Sequence, residues 1–184
     1  MTTTTAPGPT RVPDRTSPDP TMFATGFDAL AVGDAYRSEP TPIEMRDVAV
    51  FAALTGDHHP IHVDPEWAAT GPFGRPIAHG LLVLSIAVGV LPLDPDRVLA
   101  LRRFRDATFK RPVAVGESVI VACRVTELKP IDAETGIVTC EWRIAGDDER
   151  LRARAIVEIL WRRGEPELLD PVTVDADGTV QVLV

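Results

Sequence analysis

At 184 residues the chain is long enough for one packed core and demands no second domain, and its 45% hydrophobic and 25% charged residues are the balance of a soluble globular protein. A formal net charge of −8 supplies no broad basic surface, which argues against nucleic acid and membrane as partners and leaves only local basic patches open. The two cysteines, Cys123 and Cys140, lie in alternating apolar runs and read as buried thiols, not as a disulfide framework.

The chain opens on "MTTTTAPGPTRVPDRTSPDP", threonine and proline with almost nothing apolar, so residues 1–22 are expected to be a disordered tail and order to begin at Phe23 to Phe27. No basic start leads into an apolar stretch, and no apolar run approaches the ~20 residues of a membrane span, so a cytoplasmic protein is expected. A short strand follows the Gly33–Asp34 turn. "TPIEMRDVAVFAALTG" predicts a helix with Thr41 as N-cap, Pro42 first, Glu44 closing a capping box and Gly56 as the left-handed stop. Pro60 disfavours helix for His59, so "DHHPIH" is expected to run as an extended or turning loop. In "DPEWAAT" Asp64 caps a short helix that begins at Pro65, a role that suits it better than catalysis.

"GPFGRP" breaks the chain, and "IAHGLLVLSIAVGVLP" follows as a helix apolar on every side from Leu81 to Leu91 except at Ser85 and Gly89. Such a helix has to be wrapped by protein. The wrapping is predicted from four strand-like runs, "VLALRRFRDATFKRPV", "SVIVACRVTEL", "GIVTCEWRI" and "LRARAIVEILW". Val119, Val121, Cys123 and Val125, then Val138, Cys140, Trp142 and Ile144, then Leu151 through Trp161 at every second residue, mark the buried faces, with Arg152, Arg154 and Glu158 opposite. One apolar helix inside a curled antiparallel sheet makes an α+β domain over residues 23–163. Residues 164–184 form an extension that could add a short hairpin at "DADGT".

"LTGDHHPIHVD" gathers three of the four histidines of the chain and two aspartates. A metal site is one reading of Asp57, His58, His59 and His62 with His79 downstream. The spacing is poor for it, because adjacent histidines in extended chain point to opposite faces, and no metal is expected. His58 is assigned to solvent. An acid/base pair of Asp57 and His62 is the second reading, since a carboxylate beside an imidazole suits proton transfer near neutral pH. The alternative, that Asp57 caps backbone and His62 is a packed polar residue, stays open. In "AHG", Gly80 at the helix start offers an N–H to a developing oxyanion, or else only lets helix and strand approach. Ser85 either lines a pocket or bonds back to its own helix.

These residues resemble a known signature. "FAALTGDHHPIHVDPEWAATGPFGRPIAHGLL" is similar to that of MaoC-like dehydratases and (R)-specific enoyl-CoA hydratases, whose motif reads aspartate, two residues, proline, one residue, histidine. "ALAVGDAYRSEPTPIEMRDV" upstream and "FKRPVAVGESVIVACRVTEL" downstream resemble the same family, so the likeness spans most of Phe27 to Trp161. It implies a hot-dog fold, usually a homodimer, and reversible syn addition of water to a 2-enoyl thioester on coenzyme A or an acyl carrier, giving a (3R)-hydroxyacyl thioester without a cofactor. It implies Asp57 as the base that activates water, His62 as the group that orients it and helps return a proton to the α-carbon, and the Gly80 amide as carbonyl donor. His79 is a further candidate for substrate binding or loop support. His59 stands where the family usually has asparagine, and is expected to support the loop and narrow the site. Arg102, Arg103, Arg105, Lys110 and Arg111 are candidates for the phosphates of coenzyme A, against the alternative of a solvated strand face. A thioesterase on the same fold is the nearest rival, disfavoured because Leu81 to Leu91 carries no carboxylate. A non-catalytic acyl-binding subunit is the other, disfavoured because both Asp57 and His62 are present.

Overall fold

The computed structural model describes residues 19–164 and two short strands beyond them, Thr173–Val174 and Val180–Gln181. Most of the expected N-terminal tail lies outside the described residues. Its last residues do not behave as a tail: Met22, 2% exposed, fills the core beside Phe23, and Asp19 N donates to Ala35 O at 2.7 Å. The two apolar side chains are what hold this segment down. Phe23 meets Tyr36 edge-on at 5.6 Å and stacks on Trp161 at 5.9 Å, while Trp161 Nε1–H donates to Thr25 O at 2.9 Å.

The strands are β1 (Ala35–Arg37), β2 (Thr41–Pro42), β3 (Val98–Phe109), β4 (Ser118–Pro130), β5 (Thr135–Gly146) and β6 (Leu151–Arg162), the helices α1 (Met45–Thr55), α2 (Pro60–Val63), α3 (Pro65–Thr70) and α4 (Gly80–Gly89). These six strands pair antiparallel in one sheet of order β1-β4-β5-β6-β3, with β2 also on β4. Val119, Val121, Cys123 and Val125 of β4, Val138 to Ile144 of β5, and Ala153 to Trp161 of β6 present the expected alternate side chains to one core, shared with Leu82, Val83, Leu84 and Ala87 of α4. This is the hot-dog arrangement, a sheet curled on one central helix. No helix of the described residues is long and apolar enough to cross a membrane. Cys123 and Cys140 are free and buried, and the Cys140 sulfur beside it, with burial, pushes the Cys123 thiol well above the usual thiol range.

The structure departs from the sequence reading in four further places. Thr41 and Pro42 pair with Val119 and Ser118 instead of opening α1, because Ile43, fully buried, pulls the segment onto the sheet edge; the helix starts three residues later, with Glu44 N donating to Asp47 Oδ2 at 2.8 Å. His62 sits on a single helical turn, α2, not on extended chain. On α4 the line Leu81, Ser85 and Gly89 is exposed, Leu81 to 65%, so within one chain the helix is not covered on all sides. Arg152 and Glu158, on the outer side of β6, are buried too: Arg152 lies against Glu117 and Asp148, and Glu158 against arginines of β3. Gly56 (φ 79°) ends α1 as expected, with its N–H on Ala52 O at 2.8 Å. Asp64 Oδ1 accepts from Glu66 N and Trp67 N, both at 3.0 Å, as the cap of α3. Thr173–Val174 pairs with Val180–Gln181 across the expected C-terminal turn, whose own residues lie outside the described ones.

Candidate active site

Two chain segments meet at the open end of α4. The first leaves α1 at Gly56 and carries Asp57, whose Oδ1 accepts from His59 N at 3.3 Å, and then His62 on α2. The second, Ile77 to Gly80, is tied to the connection between β3 and β4 by Ala78 N donating to Val113 O at 2.8 Å and by the Ile77–Ala114 bridge. Between them His62 Nδ1–H donates to Ile77 O at 2.7 Å, which leaves its Nε2 as the free acceptor. His79 Nε2–H donates to the Asp57 carbonyl at 3.0 Å, and its ring stacks on that of His62 at 3.8 Å between centroids. One polar atom each of Asp57, His62 and His79 lies within 4.8 Å of the others.

The Asp57 side chain is 53% exposed, whereas that of His79 is 3% exposed. Burial lowers the pKa of His62, with its hydrogen bond to the Ile77 carbonyl acting the other way and the His79 charge adding to the lowering. His62 is therefore held toward its neutral form, able to accept a proton at Nε2. His62 Nδ1–H and His79 Nε2–H are both spent on backbone carbonyls, so each ring has one nitrogen left over.

A cavity of about 570 Å³ opens beside these groups, walled by Phe51, Phe73, Ile77, Val83, Phe109 and Val113, with Gly80 at its edge. Gly80 is the first residue of α4, where a backbone N–H has no acceptor inside the helix and the helix dipole favours negative charge. A Cβ there would lie 2.8 Å from the Phe109 ring, so glycine also allows helix and strand to approach.

The remaining candidates divide. Lys110 and Arg111 line the cavity; Arg102, Arg103 and Arg105 do not, and cluster instead round Glu158, with Arg105 Nε at 3.1 Å from Glu158 Oε1. Ser85 Oγ–H donates to Leu81 O at 2.9 Å and stays outside the cavity lining, the back-bonded alternative. His58 is exposed. His59 supports the loop by accepting from Ile61 N through Nδ1 at 3.2 Å, and Trp67 packs edge-on to it at 5.7 Å; it is not part of the cavity wall and does not narrow it. Sequence reasoning missed Phe51, Phe73 and Phe109 as wall residues and Arg152 as a buried one. For Phe109 a signal existed, its place at the strand end directly before Lys110 and Arg111.

The family model of the MaoC like domain matches residues 28–142. The (R)-specific enoyl-CoA hydratase of Aeromonas caviae is 41% identical over 45% of this chain and 62% of its own length. The 3-hydroxybutyryl-CoA dehydratase of Methylorubrum extorquens is 32% identical over 86% of this chain and 97% of its own. Among solved structures, a monoamine oxidase regulatory protein from Archaeoglobus fulgius superposes with a TM-score of 0.72 at 32% identity, covering 76% of this chain and 95% of that one.

Proposed function

The chain belongs to the MaoC-like dehydratase family, and from that membership we propose that it is a hydro-lyase: it adds water reversibly to a 2-enoyl thioester on coenzyme A or an acyl carrier, giving the (3R)-hydroxyacyl thioester. The observation that carries this reading is the convergence of Asp57, His62 and Gly80 on the lining of one cavity, with Nε2 of His62 left free by the bond at Nδ1. The thioester carbonyl accepts from Gly80 N–H. As the oxygen of water bonds to C3, Asp57 and His62 take up its proton, and the C2–C3 π pair moves to the carbonyl oxygen as an enolate held at the start of α4. When the enolate collapses, C2 takes the proton back from the pair on the same face. Water is added, and both side chains return to their starting states.

Lys110 and Arg111 suit the phosphate-bearing part of the carrier, being the basic side chains of the candidate set that reach the cavity. The protein works as a homodimer, a reading supported by β3, a long strand with one edge unpaired among the described residues and with Leu99 and Phe104 exposed on it. Free buried thiols on neighbouring strands fit a reducing compartment such as the cytoplasm.

The test follows the conjugated enoyl absorbance of crotonyl-CoA and of longer 2-enoyl-CoAs. Wild type is expected to consume it and to form the 3R alcohol only, with Asp57→Asn and His62→Gln each lowering kcat/KM by about 10²–10⁴-fold. Hydrolysis of a saturated acyl-CoA with no hydration of any enoyl-CoA would replace this reading with a thioesterase.

A further inference from the structure

We infer that His79 is a positioning residue for the proposed reaction, locking the Asp57 backbone and the His62 ring to the segment that supplies the Gly80 amide. This rests on the reading of Asp57, His62 and Gly80 given above.

The residues Ile77 to Gly80 serve three groups in succession. The Ile77 carbonyl holds Nδ1 of His62 at 2.7 Å, the His79 ring holds the Asp57 carbonyl at 3.0 Å, and Gly80 presents its N–H at the start of α4. Asp57 leaves α1 at Gly56, whose positive φ starts a segment without regular structure, and among the described residues its carboxylate accepts a hydrogen bond only from the nearby His59 N–H. The bond from His79 is thus the contact that reaches Asp57 from the other half of the site, across 22 residues of chain. The same ring lies 3.8 Å from that of His62, with Phe51 5.0 Å away, so it forms part of the surface against which His62 is set.

Packing alone does not account for an imidazole here. His79 is 3% exposed, and its Nδ1 is buried with no hydrogen-bond partner among the described residues. A phenylalanine would fill the space without leaving a polar nitrogen unpaired. What it would lack is the Nε2–H that reaches Asp57. The groups that bear on the His62 ring are His79, Asp57 and His59, and the His79 charge is among those that lower its proton affinity.

The experiment compares wild type with His79→Phe, which keeps a ring and removes the donor, and His79→Gln, which keeps a donor and removes the ring. Each is assayed for kcat and KM on enoyl-CoA, and the ring nitrogens of His62 are followed by NMR against pH. His79→Phe is expected to lose about 10- to 100-fold in kcat with KM little changed, the size of loss a small misplacement of catalytic groups brings, and His79→Gln to recover most of it. The His62 titration midpoint is expected to rise in His79→Phe, because burial is retained and the neighbouring imidazole is gone. A folded His79→Phe with wild-type kcat and an unmoved His62 midpoint would overturn the inference. So would a loss that tracks a lowered unfolding temperature and is not restored by His79→Gln. If wild type hydrates no thioester, the functional reading fails on its own, and the His62 resonances still decide whether His79 positions that ring.

Discussion

At the scale of single residues, the substitution of His59 for the family's asparagine has a covalent explanation. Nδ1 of histidine and Oδ1 of asparagine are each attached to Cγ, so both carry an acceptor the same number of bonds from the backbone, and Nδ1 here takes the Ile61 N–H that opens α2. His59→Asn should therefore leave urea stability and hydration rate almost unchanged, while His59→Ala should cost about 1 kcal/mol of stability through the lost cap. His62 makes a second prediction, about pH. Its folded-state pKa is lowered, chiefly by burial, so between that value and the unfolded value near 6.5 the unfolded chain binds more protons than the folded one. Stability falls as pH drops through this window. Thermal melts taken from pH 7.5 downward should show a smaller acid loss in His62→Gln than in wild type. That Asp57, His62 and Gly80 lie round one cavity was legible in the sequence through the resemblance, the first two standing in the family's motif and Gly80 in the similar segment downstream. Phe109 and the buried state of Arg152 were not, because each depends on a contact with residues far away in the chain: Phe109 with Gly80, Arg152 with Glu117.

Among the elements, β4, β5 and β6 could be read from periodicity, since alternate burial follows from a sheet with one face on the core, and the central helix from its almost unbroken apolar run. The start of α1 could not. Thr41, Pro42 and Glu44 offer a good helix opening, but burying Ile43 and pairing Thr41 with Val119 is the stronger demand, and local propensity gives way. The 3-10 turn at Phe27–Ala29 escaped for the same reason: it exists to place Phe27, 4% exposed, over Gly136 of β5. A Cβ on Gly136 would stand 2.4 Å from the Phe27 ring. Gly136→Ala should therefore lower the urea midpoint, with a loss of about 1–3 kcal/mol typical of overpacking, while the folded fraction hydrates substrate at the wild-type rate, because neither residue lines the cavity.

For the molecule as a whole, one chain leaves apolar surface that water should not keep. Val50 and Leu54 on α1, Leu81 on α4 and Leu99 on the edge strand are all exposed, and β3 has an edge unpaired among the described residues. Light scattering should give twice the 19.9 kDa of the chain, and Leu99→Lys should shift the population toward the single-chain mass on dilution. A wild type that stays at the single-chain mass at every concentration would remove the dimer. The order of strands bears on how the molecule comes into being. β4, β5 and β6 are joined hairpin to hairpin, whereas β3 reaches β6 only by passing over that meander, and the segment carrying His79 is held by backbone contacts to Val113, Ala114 and Val115 between β3 and β4. Pairings between near neighbours close at small entropic expense, and distant ones follow. A chain leaving a denaturant is therefore expected to hold the β4-β5-β6 meander before β3 and the cavity are in place. During that interval the flank of β6 lies open, and a chaperone would meet the protein as bare strand with its chemistry not yet assembled.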